Sequence, residues 1–314
     1  MFKNLLRPFV DAVNFKKITK LAEAGDASVQ NKLGNMYYIG SYVSQDYKSA
    51  LYWYNLAAAQ GFAPAQTSLG EMYEYGNGVG RDNEKAFHWY AKAARSGEMI
   101  AQNNLGWLYE KGQGTDQDYA KAAEWYRKSA EQGFADAQFN LAVMYASGKG
   151  IRQDYSEAHQ WYHKAAEQNY APAQSALGTI YAEGLGVFKN IREAIIWFSK
   201  AAAQGFAPAQ SSLGDVYEAN GESEKAIEWY RKAARAEEPS ALTNVALVYA
   251  FGQNVPKDTV AAYAFLTIAI AKGNETAKEV QEVIAKELTS PQIEEALELS
   301  TEPEKLWERV ERTT

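Results

Sequence analysis

Cysteine is absent from all 314 residues, which excludes disulfides, thiolate zinc sites and cysteine nucleophiles. The absence leaves the redox compartment open, because many secreted proteins also lack the residue. Histidine is almost as scarce, with only His88, His159 and His163. His159 and His163 stand at i, i+4 on one helix face, as two metal ligands would, but no adjacent carboxylate or third ligand completes a set. They read as exposed structural residues, and no metal or other cofactor is expected. Positive charge is not in excess: 32 Lys and Arg against 39 Asp and Glu give −7, so no overall field would hold nucleic acid or an anionic membrane. Long apolar runs are missing too. The longest, Ala261 to Ala271, is too short to span a bilayer and suits a buried helix. The opening Met1 to Pro8 interrupts its apolar residues with Arg7 and Pro8, so no secretory h-region forms. The expectation is a cytoplasmic chain, or a periplasmic one had a signal peptide been removed.

At 46% hydrophobic and 23% charged residues, the composition is that of a globular protein. What the chain has in quantity is repetition. Leu33-Gly34 returns as Leu69-Gly70, Leu105-Gly106, Leu141-Ala142, Leu177-Gly178 and Leu213-Gly214, each 36 residues apart. A sixth step, to Val245-Ala246, takes 32, because the stretch from Glu218 to Ser223 lacks four loop residues. In phase with it run Trp53-Tyr54, Trp89-Tyr90, Trp125-Tyr126, Trp161-Tyr162, Trp197-Phe198, Trp229-Tyr230 and Phe265-Leu266. Helical spacing within each unit predicts two helices, A and B: Ala65, Leu69 and Tyr73 stripe one, and Ala86, Trp89, Tyr90, Ala93 and Ala94 the other.

The stretch YEYGNGVGRD, Tyr73 to Asp82, carries the glycine spacing of a phosphate-binding loop. Such a loop must follow a strand, and here a helix precedes it. The glycines also recur at Gly112/Gly114, Gly148/Gly150 and Gly184/Gly186, so they read as the hinge between helix A and helix B, where positive φ ends a helix. Asp46, Asp82, Asp118, Asp154, Asn190 and Asp258 fit the helix B N-cap; Gly61, Gly97, Gly133, Asn169 and Gly205 fit its C-terminal end.

The pattern A-x-A-Q-x-x-L-G-x-x-Y-x-x-G-x-G-V-x-x-D-x-x-K-A-x-x-W-Y-x-K-A-A-x-Q-G resembles the Sel1-like repeat, a relative of the tetratricopeptide repeat. Seven units starting near 29, 65, 101, 137, 173, 209 and 241 fill residues 29–273, with capping helices expected at 1–28 and 274–314. Ser290 is expected to cap a terminal helix, with Pro291 suited to its first turn. The resemblance implies an all-α, right-handed α-solenoid without enzymatic activity: a scaffold or adaptor binding a protein or peptide in its concave groove, in bacteria often in envelope, secretion or host-interaction systems. A specific inhibitor or immunity-type protein would use the same surface. An enzyme or a cell-wall-glycan-associated protein is the rival from another class, but no G-x-S-x-G elbow or repeat-independent polar cluster supports it. One branch of the family is disulfide-bonded, and a chain without cysteine does not belong to it. A monomer is expected.

Helical angles of about 100° per residue locate the outward positions. On helix B they expose Lys92, Lys128, Lys164, Lys200 and Lys232, with Glu124 and Glu228 placed for i, i+4 ion pairs. On helix A, Thr67, Glu71 and Glu74 point away from the core, as do the paired positions Asn31/Asn35, Asn103/Trp107, Phe139/Val143, Ser175/Thr179, Ser211/Asp215 and Thr243/Leu247. Trp107, Phe139 and Val143, in the adjacent third and fourth units, are the large apolar groups that stand side by side at these varying positions. With Asn103, Asn104 and Asn140, whose amides can bond an extended peptide, they are the expected partner-binding residues.

Overall fold

The computed structural model describes residues 15–312; the expectation of a capping helix within 1–14 lies outside them. All regular structure among the described residues is helical. After α1 (15–23), helices of thirteen residues alternate in A and B roles: α2 Ala27–Ile39, α3 Tyr47–Ala59, α4 Ala63–Tyr75, α5 Asn83–Arg95, α6 Met99–Lys111, α7 Tyr119–Glu131, α8 Ala135–Ser147 and α9 Tyr155–Glu167. The alternation continues with α10 Ala171–Glu183, α11 Ile191–Ala203, α12 Ala207–Ala219, α13 Ser223–Arg235, α14 Pro239–Phe251 and α15 Thr259–Ala271. Three shorter helices close the chain: α16 Thr276–Ala285, α17 Ser290–Thr301 and α18 Pro303–Glu311. The chain divides into two compact units, one ending at Trp161 and the other beginning at Tyr162, a boundary inside α9. Within each unit, successive helix pairs stack as in an α-solenoid.

Local chemistry sets these boundaries. Gly76, Gly112, Gly148, Gly184 and Gly252 end A helices in the left-handed conformation, and each donates its N–H to a carbonyl of the last turn. Asp82 and Asp118 accept from the backbone N–H groups of Lys85 and Lys121, opening α5 and α7 as N-caps; Asp154 does the same for α9 through Ser156 and Glu157. The short sixth hinge lacks this device. Glu222 precedes α13 without a side-chain cap. At α17 the cap is Thr289 rather than Ser290, in a reciprocal capping box with Gln292.

The two aromatics of each Trp-Tyr pair do different jobs. Tyr90 belongs to the core shared by α5 and α6, whereas Trp89 packs against the core shared by α3 and α4. The tyrosine also explains the glycine of Leu-Gly: a Cβ at Gly70 would stand 2.5 Å from Tyr90 Cε1, so only glycine lets the buried ring lie against helix A. Contacts of one kind thus close a repeat, and those of the other join it to its neighbour.

A polar ladder repeats with the same period. Gln30, Gln66, Gln102 and Gln138 donate from Nε2 to the carbonyls of Ala22, Ala58, Ala94 and Ala130. Gln60 and Gln132 in turn donate to the Oε1 atoms of Gln30 and Gln102 at 2.8 and 2.7 Å. One rung is broken. Ser96 stands where Gln60 and Gln132 stand in their repeats, and Gln66 Oε1 is buried without a partner. Restoring the rung with Ser96→Gln should stabilise the protein by about 1 kcal/mol, the net worth of one hydrogen bond to a stranded acceptor. Urea unfolding of the two proteins checks it, and an unchanged midpoint would refute the ladder as a source of stability.

A candidate partner-binding face in the first unit

The A helices of the first unit do not present one bare outward face. Thr67 is buried, its hydroxyl donating to Glu98 Oε2 at 2.9 Å, and Glu74 is buried as well. In the second unit, Ser211 and Thr243 are buried where exposure was expected, bonded to Ser240 and Asn274 at 2.9 Å each. The physical reason is that an A helix has more than one flank. It packs on a B helix, and its next flank meets the N-terminal end of the following A helix, which a single core direction on a helical wheel ignores. Further along, polar side chains receive the hydroxyls of helix B tyrosines: Tyr54 to Asn35, Tyr90 to Glu74, Tyr126 to Glu110 and Tyr230 to Asp215, at 2.7, 2.7, 2.9 and 2.8 Å. Burial and the neighbouring carboxylates push Tyr90, Tyr126 and Tyr230 far above the usual phenol range, so these hydroxyls remain donors.

The expected binding residues are only partly brought together. Asn140 Nδ2 donates to Asn103 Oδ1 at 3.0 Å, and Asn103 Nδ2 to Asn104 Oδ1 at 3.4 Å, so the three amides form a chain across α6 and α8. Much of their capacity is spent on one another, which leaves Asn104 Nδ2 and Asn140 Oδ1, at its two ends, without a partner among the described residues. Trp107 is half-buried and packs against both the α5–α6 and the α7–α8 cores; it is structural as well as accessible. Phe139 is half-buried, and Val143, one turn further along α8, is exposed.

Asn103, Asn104 and Trp107 line a cavity of about 290 Å³ whose other walls are Glu74 and Tyr75 of α4. The last two were not among the expected residues, and the repeat gave no sharp signal for them: the position of Tyr75 carries Ile39, Lys111, Ser147, Glu183, Ala219 and Phe251 in other units, and Phe251 is as exposed as Tyr75. Beside them on α4, burial pushes the Glu71 carboxyl above the usual carboxylate range, with Glu74 and Glu98 adding to the effect. A larger cavity, about 600 Å³, lies between α1 and α2 and is lined by Phe15, Leu21, Met36, Ile39 and Tyr42.

The outer face of helix B differs from its expected ion-paired surface. Glu124 and Glu228 form no ion pair with Lys128 and Lys232, whose ammonium groups instead sit 3.9 and 4.0 Å from the ring centres of Trp125 and Trp229; Lys200 stands 3.7 Å from Trp197. The lysine stem covers the indole, half-buried at Trp125 and Trp229 and buried at Trp197, while its charge stays in water. Of the histidines, His163 lies 3.5 Å from Glu167 and edge-on to Trp197. Among the described residues no three His, Asp or Glu side chains are grouped to hold a metal, and no helix is long and apolar enough to cross a membrane.

These repeats have solved counterparts. The chain is 32% identical to a Sel1 repeat protein from Oxalobacter formigenes, with a TM-score of 0.71, over 76% of this chain and 96% of that one. It is 30% identical to c5321, a protective antigen of uropathogenic Escherichia coli strains displaying an SLR fold, over 96% of this chain and 82% of that one, with a TM-score of 0.49. No match is found among curated proteins. The family model of the Sel1 repeat matches residues 27–62, 63–98, 100–134, 135–170, 171–206, 207–237 and 239–274, successive segments that each take in one helix A and the helix B after it, and the chain therefore belongs to the Sel1 repeat family.

Proposed function

We propose that the protein is a non-enzymatic interaction scaffold that holds a segment of a protein partner along α4, α6 and α8, with Asn103, Asn104, Trp107, Phe139, Asn140 and Val143 at the centre of contact. The observation that carries this reading is the unevenness of the A helices. Other units carry single apolar groups at these positions, Ile39, Leu247 and Phe251, whereas the successive A helices α4, α6 and α8 together present Tyr75, Trp107, Phe139 and Val143 around a chain of amides with unbonded ends. Aromatic anchors beside unspent hydrogen-bonding groups suit an extended peptide, whose backbone needs both a donor and an acceptor.

The test begins with affinity capture of the partner from the native organism, followed by titration calorimetry. Phe139→Ala combined with Val143→Ala should weaken binding at least about tenfold, equivalent to 1.4 kcal/mol, while Lys128→Ala on the helix B face should leave it unchanged. Circular dichroism verifies that both variants are folded. Undiminished affinity in the double variant removes this face from the interaction. The same titration, read through the partner's own activity, separates a scaffold from an inhibitor.

A further inference from the structure

The cavity between α4 and α6 is lined by a buried carboxylate that has hydrogen-bond donors but no cation beside it among the described residues. Glu74 is only 7% exposed, and its Oε2 accepts from Tyr90. Its other oxygen is neither bonded nor sealed away from the cavity it lines. Glu71, on the same helix, and Glu98, the N-cap of α6, add carboxylates to the same neighbourhood. None of the three makes an ion pair, and the one lysine of α6, Lys111, is engaged with Glu110 at 2.8 Å. Removing carboxylates from water without a cation is costly, and a protein that does so is primed to receive one. The two aromatic walls, Tyr75 and Trp107, offer π faces, and the amides of Asn103 and Asn104 complete the lining.

We propose that this cavity is a receptor for an arginine side chain of the partner, with the guanidinium bound by Glu74 between Tyr75 and Trp107 and Glu71 adding negative charge beside it. The inference rests on the reading of this face as the partner-binding face and names the group recognised there. Arginine fits better than lysine because a planar guanidinium stacks on aromatic faces and sheds water more readily than an ammonium, while its fork of N–H groups matches a carboxylate. The space, on the order of ten times a water's share of the liquid, accepts the head group and part of its stem.

The experiment uses the full chain and a defined probe, N-acetyl-arginine amide, with its neutral isostere N-acetyl-citrulline amide as control. Indole N–H resonances are followed by NMR, that of Trp107 being assigned from Trp107→Phe. Arginine amide should shift the Trp107 resonance saturably, citrulline amide should bind at least tenfold more weakly, and Glu74→Gln with Glu71→Gln should abolish the difference. Equal responses to the two probes, or a preference for arginine that survives the double substitution, would overturn the proposal. Glu71→Gln alone guards against loss of fold. Because burial raises the Glu71 pKa, its ionised form penalises the folded state; the neutral amide should raise the melting midpoint at pH 7, with the gain disappearing below the unfolded carboxyl pKa of about 4.3. Weaker arginine binding in a more stable protein is a result that a purely structural role does not produce. If arginine amide fails to bind while Phe139→Ala with Val143→Ala still releases the partner, only the pocket assignment falls. If arginine amide binds and that variant keeps its partner, the pocket stands without the wider face.

Discussion

Deleting the 36 residues Ala101 to Asp136 should leave a folded, cooperatively melting helical protein, whereas deleting the 18 residues Tyr119 to Asp136 should destroy the packing of the first unit. The longer deletion joins Ile100 directly to Ala137, and both residues lie in the first turn of an A helix, α6 and α8 respectively. The rejoined helix keeps its phase: Ala137 occupies the place of Ala101, Leu141 that of Leu105, and each buried residue meets an equivalent partner. The shorter deletion removes α7 with its connection and the first two residues of α8, and with them Tyr126, whose ring lies against Gly106, and Ala122, Ala123 and Ala130 of the shared core. Helix α6 then loses the B helix on which it packs. Repeat arrays gain stability from each unit and from each junction, so in-phase removal costs one unit and one junction but creates no mismatch. Circular dichroism and thermal melting compare the two proteins, and equally cooperative melts would show that the repeat phase assigned here is wrong.

Trp307→Ala should be the most damaging single substitution at the end of the second unit, at about 3–5 kcal/mol. The indole is 7% exposed, lies 4.9 Å from the Phe265 ring and has the Arg235 guanidinium 4.7 Å from its centre. Leu306 and Val310, both fully buried, flank it on α18, and Arg309 ties the same helix to Asp258, the N-cap of α15, at 2.6 Å. Helix α15 is unusually apolar for the last member of an array. Its Val260, Ala261, Ala264, Phe265 and Leu266 are buried in the core that α18 completes. Without the indole that core is left with a large void at its edge. Hydrogen exchange of α15 and α18 amides gives the local readout, since a repeat array need not unfold in one step. A cost below about 1 kcal/mol would mean that the terminal helices are dispensable to the array.

The repeat, its two-helix composition and its hinges were legible because they depend on single residues acting locally. A glycine that must adopt positive φ, an aspartate that must accept a backbone N–H and an apolar stripe of period 3.6 announce themselves at each recurrence, and seven recurrences remove accident. Departures were legible on the same grounds: Asn169 in place of glycine has φ 64°, and the short sixth hinge has no side-chain cap. The sequence also marked Trp107, Phe139 and Val143, because the positions they occupy vary between repeats. It could not show that the Asn103, Asn104 and Asn140 amides bond one another, that Trp107 is shared by two cores, or that Lys128 covers Trp125 rather than pairing with Glu124.

By itself, then, the sequence determined which segments are helices, where they start and stop, and that the same helix pair recurs. Those properties are settled within a turn or two of backbone by dihedral preference, capping and periodicity. Only the tertiary structure decided which face of each A helix remains open, because that depends on flanks supplied by residues about 30 positions away, as when Glu98 covers Thr67. It likewise decided that Glu74 and Tyr75 share a cavity with Trp107: α4 and α6 are separated along the chain by a whole B helix and meet there only because their repeats stack.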